Sequence, residues 1–290
     1  MQLGLVGLGR MGAGIRDRLR DHGHEVVGYD HDASLGGVAS LEALLASLAR
    51  PRVVWVMVPS GEATEQTVQA LAGLLQPGDV LIEGGNSNYR DSIRRAEAVA
   101  ARGIGFIDCG TSGGIWGRAN GFCLMVGGAA EAVALAEPLF TSLAAEGGYA
   151  HLGPAGAGHF TKMVHNGIEY GLMEAYAEGF ALLRAYDAPL DLQRITALWQ
   201  HGSVVRGWLL ELSERAFSAD PGLDALRGVV DDSGEGRWMV QDAIDRAVPL
   251  DVIATSVFKR FASRDDNSFA MRVLAAMRQQ FGGHAVHIDP

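Results

Sequence analysis

The chain has 290 residues, which suggests about two domains at roughly 150 residues each. Hydrophobic residues make up 48% of it, enough for packed cores, so general disorder is excluded. Lys and Arg number 24 against 34 Asp and Glu, a net charge of −10, which disfavours nucleic acid or an anionic membrane as a general partner but not a local basic site.

The first half alternates short strands with helices. Residues 3–6 form an apolar run that ends in glycine, and residues 11–20 follow with helical spacing. Further strands are predicted at 25–29, 53–58, 79–82, 104–107 and 122–126, with a mixed-charge helix at 89–101. Glycine and asparagine cluster between them, at Gly84, Gly85 and Asn86 and again at Gly110, Gly113, Gly114, Gly127 and Gly128. This β-α-β alternation predicts an α/β Rossmann-type domain with a doubly wound parallel sheet over 1–156. After Gly153-Pro154-Ala155-Gly156 the strand signals stop. Residues 160–186 are one proline-free, helix-compatible stretch, and more helices are expected at 192–200, 205–217, 236–246, 250–262 and 268–281. An all-α domain is therefore expected over 157–290.

Glycine is the outlier in composition, with 39 residues, about 13% against a usual ~7%. With 9 prolines and no Gly-X-Y period, the excess belongs to tight turns and close backbone approaches. Cys109 and Cys123 are too few for a disulfide framework or a four-thiolate zinc site, and core packing is expected of them. Residues 1–9 lack the basic region of a signal peptide, and runs such as 53–58 fall far short of the ~20 residues of a membrane helix. A soluble, cytoplasmic protein is the expectation.

Gly7-Leu8-Gly9-Arg10-Met11-Gly12 is a GxGxxG between the first strand and the first helix. In that context its glycines permit a tight turn and close approach of a pyrophosphate, which the helix amides then hold. Asp30, eighteen residues after Gly12, ends the second strand, where a carboxylate hydrogen-bonds the adenosine ribose. The expected cofactor-binding residues are Gly7, Leu8, Gly9, Met11, Gly12, Asp30, Val58 and Asn86. Asp30 would oppose a 2′-phosphate, and His31 and Asp32 supply no arginine to balance it, so NAD is expected to be preferred over NADP.

At about 100° per residue, Lys162, Asn166 and Glu169 fall within about 60° of one another on the long helix, with His165 at the edge of that sector. Gly156, Gly158 and Gly167 suggest close approach rather than a solvated face. In a nicotinamide enzyme a lysine can take the hydroxyl proton as hydride leaves. If the substrate is a β-hydroxy acid, the product ketone is an electron sink for loss of CO2 with no metal needed. A second proton donor at Glu169 could then protonate the enediol carbon. His159 and His165 lie about 120° apart on the helix, and no zinc site is expected.

With these residues placed, the sequence resembles 6-phosphogluconate dehydrogenase, decarboxylating, in its short NAD-type form. The likeness spans the chain: 7–12, the GGNSxYRD segment at 84–91, Thr111 to Gly114, the HFxKMVHNGIEY segment at 159–170, Gly234 to Trp238, and a tail from Arg278 to His284. The resemblance implies Lys162 as the base for the 3-hydroxyl and Glu169 as the acid that protonates C1. It implies that Asn86, His165 and Asn166 position the sugar acid, that Ser112, Gly113 and Gly114 hold its carboxylate, and that Tyr170 and Arg260 meet its phosphate. Arg278 and His284 match a tail that in this family enters the neighbouring subunit's site, so a homodimer or homotetramer with shared sites is implied. No nucleic acid or membrane partner is expected. The chain departs from the family where Ser233-Gly234 replace a lysine near the phosphate. The rival is a non-decarboxylating 3-hydroxyacid dehydrogenase, similar in length, turn and lysine, which needs neither Glu169 nor phosphate ligands. A nicotinamide-sensing protein without catalysis would need neither Lys162 nor Glu169.

Overall fold

The computed structural model describes residues 1–282 together with Ala285 and His287. It forms two compact units, Met1–His165 and Asn166–Pro290. The first carries β1 (Gln2–Val6), α1 (Arg10–Asp21), β2 (Glu25–Tyr29), α2 (Leu41–Ala46), β3 (Val53–Val56), α3 (Glu62–Leu74), β4 (Val80–Glu83), α4 (Tyr89–Ala100), β5 (Gly105–Ser112), α5 (Gly117–Asn120), β6 (Phe122–Gly128), α6 (Ala130–Leu143) and β7 (Ala144–Gly153). The strands form one sheet in the order β2-β1-β3-β4-β5-β6-β7. All neighbours are parallel except β5 and β6.

β3 is an unbroken apolar run, and β4 is apolar up to Glu83, because helices cover both of their faces. Side chains alternate between those faces. Trp55 and Ile82 join Leu3, Leu5, Ile15 and Phe140 on one side, and Trp55 meets Phe140 edge-on with ring centres 5.6 Å apart. Val54, Val56 and Leu81 join Leu44, Val68 and Leu71 on the other. The doubly wound, mostly parallel architecture is thus present, with two features the residue pattern does not announce. One is the antiparallel turn-back of β6. The other is β7, an edge strand half of whose residues are exposed.

The two cysteines part company. Cys109 is in the core, where burial pushes its thiol well up from the ordinary value. Cys123 is exposed, which corrects the expectation of core packing for it. It lies on β6 with Phe122 and Leu124 buried on either side, so its side chain points out of the sheet.

The helix that carries the candidate chemistry is α7 (Ala157–Arg184), 28 residues long, and the division between the two units falls within it. The second unit continues with α8 (Leu192–Trp199), α9 (Trp208–Ala219), α10 (Glu235–Asp245), α11 (Asp251–Ala262) and α12 (Phe269–Gly282), and holds no strand among the described residues. Its buried centre is small: Phe180, Leu210 and Phe217, with Tyr176, Leu183 and Leu192 packed against them. Large apolar side chains remain outside, among them Leu198 on α8, Phe258 on α11, and Phe269, Leu274 and Met277 on α12. Among the described residues no helix is long and apolar enough to cross a membrane.

Candidate functional site

β1 delivers the chain into a tight turn at Gly7, whose φ is +95°. A Cβ on Gly7 would stand 2.4 Å from the Met57 carbonyl oxygen, and one on Gly12 would stand 1.9 Å from the Gly7 carbonyl oxygen. Only glycine lets α1 close onto its own turn in this way. Gly9 caps α1 without a side chain, and the space where its Cβ would be is open. The first-turn amides of α1 are therefore left for an anion. Asp30 is fixed beside this turn: its Oδ2 accepts the Leu8 amide at 2.6 Å and its Oδ1 the Asp32 amide at 2.9 Å. Gly7, Tyr29, Asp30, His31 and Val58 line a hollow of about 210 Å³ at the strand ends. These residues fit the adenosine half of a dinucleotide. Met11 differs from its neighbours in the motif, since its side chain packs against the core.

The next two strand ends supply further groups. Asn86 has a left-handed backbone with φ +52°, and its side chain clamps β5: Nδ2 donates to the Thr111 carbonyl at 3.2 Å while Oδ1 accepts the Thr111 amide at 3.0 Å. Ser112 ends β5, and its Oγ lies 3.5 Å from His165 Nε2. Gly113 and Gly114, with φ +130° and +51°, lead into a short helical turn, and the space around Gly114 is open.

The N-terminus of α7 is seated on the sheet by Asp108. This fully buried carboxylate accepts the Gly156 amide at 2.6 Å and the His159 amide at 2.7 Å. A Cβ on Gly158 would meet the carbonyl oxygens of Met125 and Asp108 at 2.4 and 2.5 Å, and one on Gly110 would meet Lys162 Cβ at 2.4 Å. Glycine at both positions lets backbone lie on backbone. Lys162 is thereby held against β5, only 5% exposed, with Nζ 3.5 Å from His165 Nδ1. The structure so brings Lys162, His165 and Ser112 together in the first unit.

In the second unit, Asn166 is buried and Glu169 half-buried along α7. Buried Tyr170 receives the Ser233 amide on its hydroxyl at 3.2 Å. Arg260 stacks over the Tyr170 ring at 3.6 Å and donates to the Asp231 carbonyl at 2.9 Å. The pair expected at the phosphate is therefore in contact. Ser233 is turned to Glu235, whose carboxylate accepts its hydroxyl. Arg278 is exposed on α12, and His284 lies outside the described residues. Among the described residues no group of three His, Cys, Asp or Glu is arranged to hold a metal ion.

Residues 2–153 match the family model of the NAD-binding domain of 6-phosphogluconate dehydrogenase, and residues 158–287 match that of its C-terminal domain. The chain belongs to the 6-phosphogluconate dehydrogenase family. It is an oxidoreductase with a nicotinamide-cofactor domain. It is 45% identical to Bacillus subtilis YqeC, whose assignment as a 6-phosphogluconate dehydrogenase is provisional, over 98% of this chain and 99% of that one. It is 43% identical to the NAD(+)-dependent, decarboxylating 6-phosphogluconate dehydrogenase of Haloferax volcanii, over 99% of this chain and 98% of that one. The solved Plasmodium falciparum 6-phosphogluconate dehydrogenase shares the fold, with a TM-score of 0.82 at 24% identity, covering 100% of this chain and 67% of that one.

Within this 6-phosphogluconate dehydrogenase fold, a buried polar chain escapes sequence reasoning. Glu65 of α3 pairs with Arg94 and Arg95 of α4, and Arg94 chiefly holds its carboxyl down to about 2. Arg95 also binds buried Glu83 at 2.9 Å. Glu83 accepts from Ser92 Oγ at 3.2 Å, and Ser92 Oγ lies 2.8 Å from His159 Nδ1. The chain thus runs from the surface of α3 to the first turn of α7. Its sequence signal is a lone carboxylate, Glu83, closing the apolar stretch of β4.

Proposed function

We propose that the chain catalyses oxidative decarboxylation of 6-phosphogluconate to ribulose 5-phosphate and CO2, with NAD as the preferred cofactor. The observation that carries this reading is Lys162, a lysine sunk against β5 beside His165 and Ser112 in a chain of this family. A lysine held at that place suits the role of a base. The bound nicotinamide would accept the hydride from C3. Lys162 takes the 3-hydroxyl proton as that hydride leaves. Its new ammonium then hydrogen-bonds the C3 ketone, which draws the electron pair released as CO2 departs. Glu169 donates a proton to C1 of the resulting enediol.

The remaining roles follow the same reading. Asn86, His165 and Asn166 orient the sugar acid, and Ser112, Gly113 and Gly114 bind its carboxylate. Tyr170 and Arg260 meet the phosphate, to which a planar guanidinium is suited. Asp30 selects the ribose 2′-hydroxyl and so NAD over NADP. The exposed apolar residues of α12 support a homodimer or homotetramer whose tail, with Arg278 and His284, completes a neighbouring site.

The test is an assay of 6-phosphogluconate, gluconate and 3-hydroxyisobutyrate, each with NAD and NADP, scoring CO2. The expected result is one CO2 per NADH with 6-phosphogluconate and a higher kcat/KM with NAD. Oxidation of 3-hydroxyisobutyrate without CO2 would instead assign the chain to simple 3-hydroxyacid oxidation. Glu169→Ala is expected to slow turnover by roughly 10²–10⁴-fold, the usual weight of a general acid, with NADH affinity unchanged. An unchanged rate would give the C1 protonation to another group.

A further inference from the structure

The turn into α10 sets a carboxylate beside the groups that the reading above gives to the substrate phosphate. Glu235 opens α10 and is only 6% exposed. Its Oε2 accepts the Ser233 hydroxyl at 2.5 Å. Ser233 Oγ in turn lies 3.4 Å from the Tyr170 hydroxyl, which accepts the Ser233 amide at 3.2 Å. A Cβ on Gly236 would meet the Tyr170 ring at 2.8 Å, so the start of α10 is pressed against that ring. An acid in the first turn of a helix is ordinary. This one is buried and stands one hydroxyl away from Tyr170.

The arrangement disfavours an anion in two ways. Ser233 directs its one hydroxyl proton at Glu235, so it offers a ligand lone pairs and no donor. The cations close by are also balanced. Arg237 and Arg264 both reach Asp232, at 2.8 and 3.2 Å, and Arg264 stands 3.9 Å from Asp231. Arg260 has no carboxylate partner among the described residues, and it stacks on Tyr170 instead. Glu235 offsets the charge that Arg260 adds. A phosphate dianion therefore meets Tyr170 and Arg260 with a carboxylate behind them. An uncharged hydroxymethyl group finds a donor in the Tyr170 hydroxyl and acceptors in Ser233 and Glu235.

We propose that Glu235 sets the specificity for the far end of the substrate and admits the unphosphorylated six-carbon sugar acid to the same reaction. The inference rests on reading Tyr170 and Arg260 as the groups that meet the phosphate. A site discriminates by what it repels as well as by what it holds, and Glu235 is here the repelling element. The chemistry itself is unchanged. A hydride passes from C3 to the nicotinamide, and the bond from C2 to the carboxyl carbon breaks to release CO2. One proton leaves the 3-hydroxyl and one returns to carbon, which yields an unphosphorylated ketopentose and NADH.

The experiment compares steady-state kinetics of the full chain on 6-phosphogluconate and on gluconate with NAD, scoring NADH and CO2, for the wild type, Glu235→Gln and Glu235→Thr. The wild type is expected to turn over gluconate with a kcat/KM within about a hundredfold of that for 6-phosphogluconate, the weight of one charge-assisted hydrogen bond. Glu235→Gln keeps the shape and removes the charge. It is expected to lower KM for 6-phosphogluconate about five- to tenfold and to raise KM for gluconate about threefold, with each kcat within about twofold. Glu235→Thr is expected to move both values in the same directions. NADH affinity, read by fluorescence, reports that each variant is folded. A residue that only seats α10 would move the two KM values together. A parallel change, no change, or a wild type inert on gluconate would overturn the proposal while leaving decarboxylation of 6-phosphogluconate intact. A wild type that releases CO2 from neither acid would overturn that reading too.

Discussion

Lys162→Met is expected to lower kcat by about 10⁴-fold while NADH affinity stays within twofold of the wild type. The estimate takes the upper end of the usual range for a general base, because Lys162 serves first as base and then as hydrogen-bond donor to the ketone. Methionine is the choice because it keeps an unbranched chain of similar volume. The wall beside Lys162 Cβ is the backbone of Gly110, where even one added methyl would collide, so a branched replacement would confound the result. The variant loses the Nζ group, and with it the 3.5 Å approach to His165. Lys162→Arg separates charge from basicity. A guanidinium keeps the positive charge but cannot give up its proton, so it should be as inactive as methionine. Steady-state kinetics with 6-phosphogluconate, alongside NADH fluorescence, decide the matter. A kcat within tenfold of the wild type for either variant would move the base elsewhere.

What could be read from the residues was the part whose signal is local. The run 3–6, the glycine turn and Asp30 announce a nucleotide-binding strand-turn-helix, because each piece is a short pattern with one physical cause. Lys162, His165, Asn166 and Glu169 were legible as a helix face because helix period alone sets it. α3 and α6 were not singled out, although both are long. Alanine and leucine spread around α6 give little contrast between its faces. β7 was missed for a related reason. It lies at the sheet edge with half of its residues exposed, and Gly147 and Gly148 weaken its strand pattern. Gly110 and Gly158 were visible as glycines, but each makes room for a segment remote in sequence: Gly158 for the carbonyl oxygens of Asp108 on β5 and Met125 on β6, Gly110 for Lys162 on α7. Asp108 was the costliest omission. Its partners are backbone amides 48 and 51 residues away, and backbone donors carry no side-chain signature. The contact of Tyr170 with Arg260 came from family likeness, since no periodicity links residues 90 apart.

That omission sets the second large effect, because Asp108 determines where α7 begins. A helix N-terminus leaves amides without intrahelical partners, and burying them unpaired is costly. Asp108 answers two at once with a charged acceptor, at 2.6 and 2.7 Å, in a cradle so tight that a Cβ on Gly127 would stand 2.6 Å from Oδ1. Asp108→Ala removes both bonds and leaves two buried donors and a void. The expected destabilisation is about 3–5 kcal/mol, from ~1–3 kcal/mol for each donor left unmet plus the cavity. For a chain of this size that lowers Tm by on the order of 10 °C. Asp108→Asn keeps one acceptor oxygen but sets an NH2 group against the other amide, so it should fall between alanine and the wild type. The second consequence concerns catalysis. Lys162 sits one turn beyond His159, whose amide Asp108 holds, so a loosened helix start displaces the amine from its place against Gly110. A displacement of about 1 Å can cost on the order of 10²-fold in rate. Below its new Tm, Asp108→Asn is therefore expected to show a depressed kcat with NADH affinity preserved, since the glycine turn and Asp30 lie on other strands. Calorimetry and steady-state kinetics on the same preparation test both halves of the argument. A wild-type Tm would refute the anchor, and a lowered Tm with wild-type kcat would confine Asp108 to stability.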